Sequence, residues 1–186
     1  IKIIVVDNSN NKNFKESIEK QYKNIKCILS ENNLGMGPAN NLGLKEVETD
    51  YAFVLNPDVV LEQNTLDEIF LASSNIDEFS VIAPISKLVD HPNYKLNQNQ
   101  VSNLIKPFQV VSIDGYAMIL NLKKINNFKT FINSKYFDEN IFMYLENDDL
   151  CKRIIDNKGK IFVVPKAKIN HIGGGAVDAK YKIQIE

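Results

Sequence analysis

The chain opens on Ile1 to Val6, a run that is nearly all apolar and β-branched. Such a run suits a strand buried on both faces of a sheet. Asp7-Asn8-Ser9-Asn10 then supplies turn and cap residues, after which Phe14, Ile18 and Tyr22 recur at the spacing of one helix face. Ile25 to Ser30 reads as a second short strand, and a polar, glycine-bearing loop leads from it into a helix of about Ala39 to Lys45. Tyr51 to Leu55 reads as a third strand, cut off by Asn56-Pro57-Asp58. Leu66, Ile69 and Phe70 mark another helix face, and Val81 to Ala83 another strand. Strands alternating with helices predict an α/β fold with a mostly parallel central sheet flanked by helices. Ligands of such sheets collect beyond the C-terminal strand ends, and Asp7, Asn33 and Asp58 all follow predicted strands.

The second half is less regular. Residues 86–107 are polar, rich in Asn, Gln and Lys, and lack periodicity, which is long for an idle connection and fits a substrate loop or a flexible insertion. Val110 to Ile113 predicts a strand, followed by Gly115 and the apolar stretch Tyr116 to Leu120. Phe137-Asp138-Glu139 leads to Glu146, where a helix is predicted to run to about Asn157. Lys160 to Val164 and Ala167 to Asn170 read as two short strands, with Gly173-Gly174-Gly175 after His171. No internal repeat is visible, so a single domain over 1–186 is expected, with a donor half at about 1–85 and an acceptor and catalytic half at about 108–186.

Composition narrows the function classes. A hydrophobic fraction of 44% and a charged fraction of 24% are those of an ordinary globular domain. With 22 basic against 23 acidic residues there is no electrostatic case for nucleic acid as a partner. Cys27 and Cys151 make neither a disulfide framework nor a zinc site, and both fall in stretches where packing explains them. No signal peptide or membrane-spanning run is present.

Several polar groups are placed for chemistry. Pro57 sets a turn, and the Asp58 carboxylate with Asn56 beside it offers the oxygen ligands that Mg2+ or Mn2+ prefers, although the same residues make an ordinary Asx turn. In Asn33 through Gly43, glycines such as Gly35 let the backbone approach a ligand, and asparagines such as Asn33 and Asn41 can bond ribose or phosphate oxygens. That segment lacks the Lys-Ser/Thr ending of a phosphate-cradling loop, and turn and cap work explains it as well. Glu146, Asp149 and Arg153 share one helix face, where carboxylates also interact favourably with the free N–H groups of a helix start. His171 ends a strand, where it can ligate a metal, bond a diphosphate or serve the structure.

The order of these blocks resembles family 2 of the glycosyltransferases with the GT-A fold, especially its rhamnosyltransferase-like branch. The matching blocks are Val5-Val6-Asp7-Asn8-Ser9, Asn33-x-Gly35 through Asn41-x-Gly43, Leu55-Asn56-Pro57-Asp58, Phe137-Asp138-Glu139 through Tyr144-x-Glu146-x-x-Asp149-Leu150-Cys151-x-Arg153, and Pro165 through His171-x-Gly173-Gly174. The resemblance implies that Asp7 contacts the nucleobase and that Asn33, Gly35 and Asn41 line the nucleoside. It implies that Asp58 is the metal-binding carboxylate of an Asp-x-Asp motif whose first position is Asn56 here. Tyr116 would flank donor sugar and acceptor, Arg153 would belong with the donor-binding residues, and His171 would sit near metal or diphosphate. The implied cofactor is Mg2+ or Mn2+. The implied partners are a nucleotide-diphospho-sugar of UDP or dTDP type and a saccharide or lipid-linked saccharide acceptor, in the cytoplasm or at the inner face of the membrane.

One departure concerns the reaction itself. The branch reads Glu-Asp-x-Asp where this chain has Glu146-Asn147-Asp148-Asp149, and asparagine cannot take a proton. Asp149, then Glu146, are the expected bases of an inverting displacement at the anomeric carbon. Relatives continue beyond Gly175 and this chain begins without methionine, so a partial chain is expected. The alternatives are a sugar nucleotidyltransferase, disfavoured because Asp7 to Asn13 contains a single basic residue and no glycine, and a nucleotide-sugar-binding module without turnover.

Overall fold

The computed structural model describes residues 1–87, 92–131 and 135–172; His91 and the run Gly173–Gly175 lie outside the described residues. The elements in chain order are β1 (Ile3–Asp7), α1 (Lys12–Gln21), β2 (Ile25–Leu29), α2 (Met36–Lys45), β3 (Tyr51–Leu55), β4 (Val59–Leu61), α3 (Thr65–Asn75) and β5 (Phe79–Ser86). They continue with β6 (Tyr94–Lys95), β7 (Phe108–Val110), β8 (Ser112–Ile113), β9 (Ala117–Asn121), α4 (Leu122–Ile125), α5 (Glu146–Asp156) and β10 (Lys160–His171).

The expectation of a mostly parallel sheet is overturned. β3, β9, β5, β10 and β4 lie side by side with β7 added on β10, and within this sheet only β5 and β10 run parallel. β1 and β2 form a separate parallel pair, and β6 and β8 an antiparallel one. The physical reason is connection length. Each parallel neighbour needs a crossover of a dozen or more residues, usually a helix. The second half has few such crossovers, and only Asn56 to Asp58 separates β3 from β4. A buried apolar run such as Ala117 to Leu120 reads the same in either direction, so the pattern along the chain carries no sign of strand polarity.

Core residues lie in two clusters. One includes Leu44, Val81, Met118, Leu120, Leu150 and Ile154, so α2 and α5 contribute to it. The other joins Ile69 and Ala72 of α3 to Ile82, Ile119 and Val164. Phe70, expected on the packed face of α3, is instead 61% exposed, and Ala72 takes the buried position. α2 begins earlier than expected, at Met36, because Pro38 falls within its first turn, where a missing N–H goes unmissed. The two expected C-terminal strands are one, β10, with a register shift between Val164 and Lys168 around Pro165, which has no N–H for the ladder.

The polar stretch 86–107 is partly structured. Buried Asn93 donates to the Pro84 carbonyl at 2.9 Å and accepts from the Ser86 N–H at 3.0 Å, while Tyr94 and Lys95 pair with β8. Lys95 also reaches α5 through a 2.7 Å ion pair with Asp148, which accepts a second bond from the Ser112 hydroxyl. Burial pushes the Asp148 carboxyl up, but the hydrogen bonds from Lys95 and Ser112 lower it by more, and its pKa is depressed overall. A depressed carboxylate stabilises the fold above its unfolded pKa of about 3.9, and that contribution is lost as pH falls through the folded value. Lys95 is largely exposed, so Lys95→Met is expected to cost less than about 1 kcal/mol in urea unfolding at pH 7. The difference from wild type should shrink as pH falls below about 3.9, and a loss at pH 3 equal to that at pH 7 would contradict this account.

Candidate active site

At the end of β1, the Asp7 side chain is held by the turn that follows. Its carboxylate accepts from the Ser9 N–H at 2.9 Å, the Ser9 hydroxyl at 2.7 Å and the Asn11 N–H at 2.8 Å. Burial raises the Asp7 pKa, these bonds lower it by more, and the net shift is downward. Asn8, which drew no attention as a single residue in the sequence, ties β1 to the glycine-bearing loop. Its amide donates to the Gly35 carbonyl at 3.1 Å and its oxygen accepts from the Ser30 hydroxyl at 3.0 Å. Asn33 is exposed, and its side chain accepts from the Gly35 N–H at 3.0 Å.

Gly35 is the hinge of this loop. Its φ of 81° and ψ of −176° belong to a region open essentially to glycine alone, and a Cβ there would overlap the Phe142 carbonyl oxygen. That same carbonyl accepts from the Met36 N–H at 3.3 Å, so the start of α2 is packed directly against the segment that leads into α5. Asn41, expected to meet the donor, is 8% exposed, donates to the Phe137 carbonyl at 2.8 Å and accepts from the Phe137 N–H at 3.0 Å. It holds the same two segments together one turn further along.

A second group of residues meets where β3, β9 and β10 converge. The Asn56 N–H donates to the Tyr116 carbonyl at 2.9 Å, and the Ile172 N–H donates to the Asp58 carbonyl at 3.0 Å. These bonds bring Asp58 and His171 together, with Nε2 3.4 Å from Oδ2 and the Asp58 side chain 8% exposed. The Tyr116 ring stacks on the His171 imidazole with centroids 3.9 Å apart. Burial pushes the Tyr116 hydroxyl up to about 12 despite a hydrogen bond with Ser86, so it stays protonated throughout the neutral range.

Gly115 joins the two groups. A Cβ there would overlap the Met36 methyl and come within 3.3 Å of the Asn147 Cβ, so the start of α2, the turn before β9 and the start of α5 form one wall. Asn147 donates from its amide to the Ile113 carbonyl at 2.8 Å. Asp149 lies on the other side of the helix from Asn147 and pairs with Arg153 at 2.7 Å. Arg153 is further engaged by the Lys135 and Tyr136 carbonyls and stacks over the Phe131 ring at 4.6 Å. Both border a polar depression of about 420 Å³ with Lys135, Asp138, Glu139 and Asn140. Glu146 is 4% exposed, beside Gly37, and among the described residues its Oε2 has no hydrogen-bond partner.

Asp58 and His171 together are a two-donor set. Among the described residues no group of three or more His, Cys, Asp and Glu side chains is in position to hold a metal ion. Mg2+ in nucleotide sites is commonly bound by one or two carboxylates completed by substrate phosphates and water. The pair therefore fits a cation that arrives with a diphosphate, and does not fit one caged by protein alone.

Glycosyl transferase family 2 matches residues 1–144, which takes in the glycine-bearing loop, Asp58 and the Gly115-Tyr116 turn. The chain belongs to that family. No curated protein matches it by sequence. Among solved structures, this family 2 chain is similar to GalNAc-T7 with UDP, GalNAc and Mn2+, at a TM-score of 0.70 and 12% identity over 91% of this chain and 37% of that one. It is similar to S. aureus TarS 1-349 in complex with UDP, at a TM-score of 0.62 and 18% identity over 91% of this chain and 50% of that one. It is also similar to the inositol-1-phosphate CTP transferase from T. maritima, at a TM-score of 0.57 and 14% identity over 99% of this chain and 75% of that one. At these identities the likeness establishes a shared GT-A-like fold. The chain spans 37% of the GalNAc-T7 structure and 50% of the TarS 1-349 structure. No helix among the described residues is long and apolar enough to cross a membrane.

Proposed function

We propose that this chain transfers a sugar from a nucleotide-diphospho-sugar to an acceptor hydroxyl with inversion, using Mg2+ or Mn2+ at Asp58 and His171. The observation that carries the reading is the convergence of Asp58, His171 and Tyr116 at the strand ends that face the start of α2. When bound there, the cation would neutralise charge on the leaving diphosphate. The N-terminal turn of α2 receives phosphate oxygens. Asn33 and Asp7 line the nucleoside, with Asn8 and Asn41 keeping the loop in place. Asn56 holds the turn that presents Asp58, and Tyr116 flanks the donor sugar. Arg153 fixes the segment around Tyr136, and Asp149 orients Arg153, which leaves Glu146 as the stronger of the two bases expected from sequence.

The donor in this reading is a UDP or dTDP sugar, as in the rhamnosyltransferase-like branch. The acceptor is a saccharide or lipid-linked saccharide of a bacterial surface glycan, met at the inner face of the membrane. UDP is present in two of the structures of similar fold and Mn2+ in one, which supports the donor and cation classes. The fold shared with a CTP transferase keeps a nucleotidyltransferase as the second reading.

A thermal-shift screen of UDP, dTDP, GDP and CDP with and without Mn2+ tests the donor site. A ligand at a hundred times its Kd stabilises by about 2.7 kcal/mol, roughly 5–10 °C for a chain of this length. UDP or dTDP is expected to give that rise only with Mn2+. No shift with any diphosphate, or the same shift after chelation, would remove the basis of the proposal.

A further inference from the structure

We propose that Asp114, in the turn between β8 and β9, is the general base of the transfer, in place of a carboxylate at position 147. The inference rests on the proposed transferase reading. It starts from which carboxylates around the site are already engaged. Asp7 is held by Ser9 and Asn11, Asp148 by Lys95 and Ser112, Asp149 by Arg153 and Glu139 by Lys135. Asp58 faces His171. Among the described residues no hydrogen bond or ion pair takes the Asp114 carboxylate, which is only partly exposed. Glu146 also keeps an oxygen without a partner, but it is closed in at 4% exposure.

The position of Asp114 is the second line. The Asn147 amide donates to the carbonyl of Ile113, the residue just before Asp114, and Gly115, just after it, packs against Asn147 and Met36. The next residue, Tyr116, stacks on His171 and accepts the Asn56 N–H. The chain on either side of Asp114 is thus tied to the wall that α5 and α2 make and, through Tyr116, to the Asp58–His171 pair. The charged groups that act on it are Lys95, Asp148 and His171, and burial, the largest influence, raises its pKa. A carboxylate made more basic by burial is suited to the role.

The Asn147 contact also explains why the base does not return simply by restoring the family residue. The amide N–H points at a carbonyl oxygen, and a carboxylate there would lose the bond and face that oxygen. In the proposed step the acceptor O–H bond breaks and its proton passes to an Asp114 oxygen. The acceptor oxygen bonds the anomeric carbon from the face opposite the diphosphate, and the carbon–oxygen bond to the diphosphate breaks with its electron pair leaving on the nucleoside diphosphate.

The test measures nucleoside diphosphate release with Mn2+ from UDP-glucose, UDP-N-acetylglucosamine and dTDP-rhamnose, with water and methyl glycosides as nucleophiles. Asp114→Asn, which keeps the shape and removes the charge, is expected to lower release by about 10²-fold or more, with UDP affinity unchanged within about twofold. Asp114→Glu should recover part of the rate, Glu146→Gln should lose less than tenfold, and Asn147→Asp should give no gain. Wild-type release in Asp114→Asn, or a large gain in Asn147→Asp, overturns the inference while leaving the transferase reading intact. Donor binding by wild type without release shows a binding module and overturns the base. Neither binding nor release overturns the inference together with the reading beneath it.

Discussion

Gly35→Ala is expected to unfold the loop that joins the donor side to α5. The backbone at Gly35 lies where a side chain is strained, at about 1–3 kcal/mol, and the added Cβ would also meet the Phe142 carbonyl oxygen. That oxygen accepts from the Met36 N–H, so relief of the overlap must move the start of α2 or the segment before α5. Tyr144 and Leu145, with φ values of 64° and 68°, are already in left-handed conformations and have little freedom to follow. A fall in Tm of roughly 5–10 °C is expected, together with loss of the UDP-dependent shift. Gly43→Ala is the control, because that glycine sits inside α2 and its Cβ would meet side-chain methyls alone, of Val6 at 3.3 Å and Ile4 at 3.8 Å. Differential scanning calorimetry of the two variants decides the matter. Equal Tm values would mean that the loop relaxes freely and is not the hinge described.

Asp58→Ala is expected to remove the contribution of Mn2+ to UDP affinity, a loss of about 10²-fold or more. Changes to groups that merely support a metal ligand cost 10–100-fold in metal affinity, so loss of a ligand from a two-donor set should cost at least as much. The Asp58 side chain is 8% exposed beside His171, so a change in fold has to be separated from a change in binding. Asp58→Asn keeps the shape and serves that purpose. Both variants should retain most of their metal-free affinity for UDP in calorimetric titration. Mn2+-dependent affinity preserved in both would move the cation away from Asp58.

Much of the candidate site was legible in the sequence because it sits at points where the chain must turn. Asn56-Pro57-Asp58 marks its own strand end, and Gly35 announces a backbone that other residues cannot adopt. Strand direction was not legible, since Ala117 to Leu120 is buried on both sides and looks the same parallel or antiparallel. Nor was the division of labour among polar residues. Asn41 and Arg153 read as donor contacts, and each also bonds the backbone around Tyr136 and Phe137, partners that are remote in sequence. Asp114 was passed over because one aspartate before a glycine is an ordinary turn signal, and its setting appears only when β8, α5 and Tyr116 are brought together.

The central claim is that the bond broken joins the anomeric carbon to the diphosphate of a nucleotide-sugar, and 31P NMR of the products tests it directly. Parallel reactions with Mn2+ would contain either UDP-glucose, UDP-N-acetylglucosamine or dTDP-rhamnose with methyl glycosides, or CTP, UTP or dTTP with glucose-1-phosphate. The account predicts UDP or dTDP from the first set and nothing from the second. Pyrophosphate appearing in the second set, with the nucleotide-sugars of the first intact, would contradict it and identify a nucleotidyltransferase.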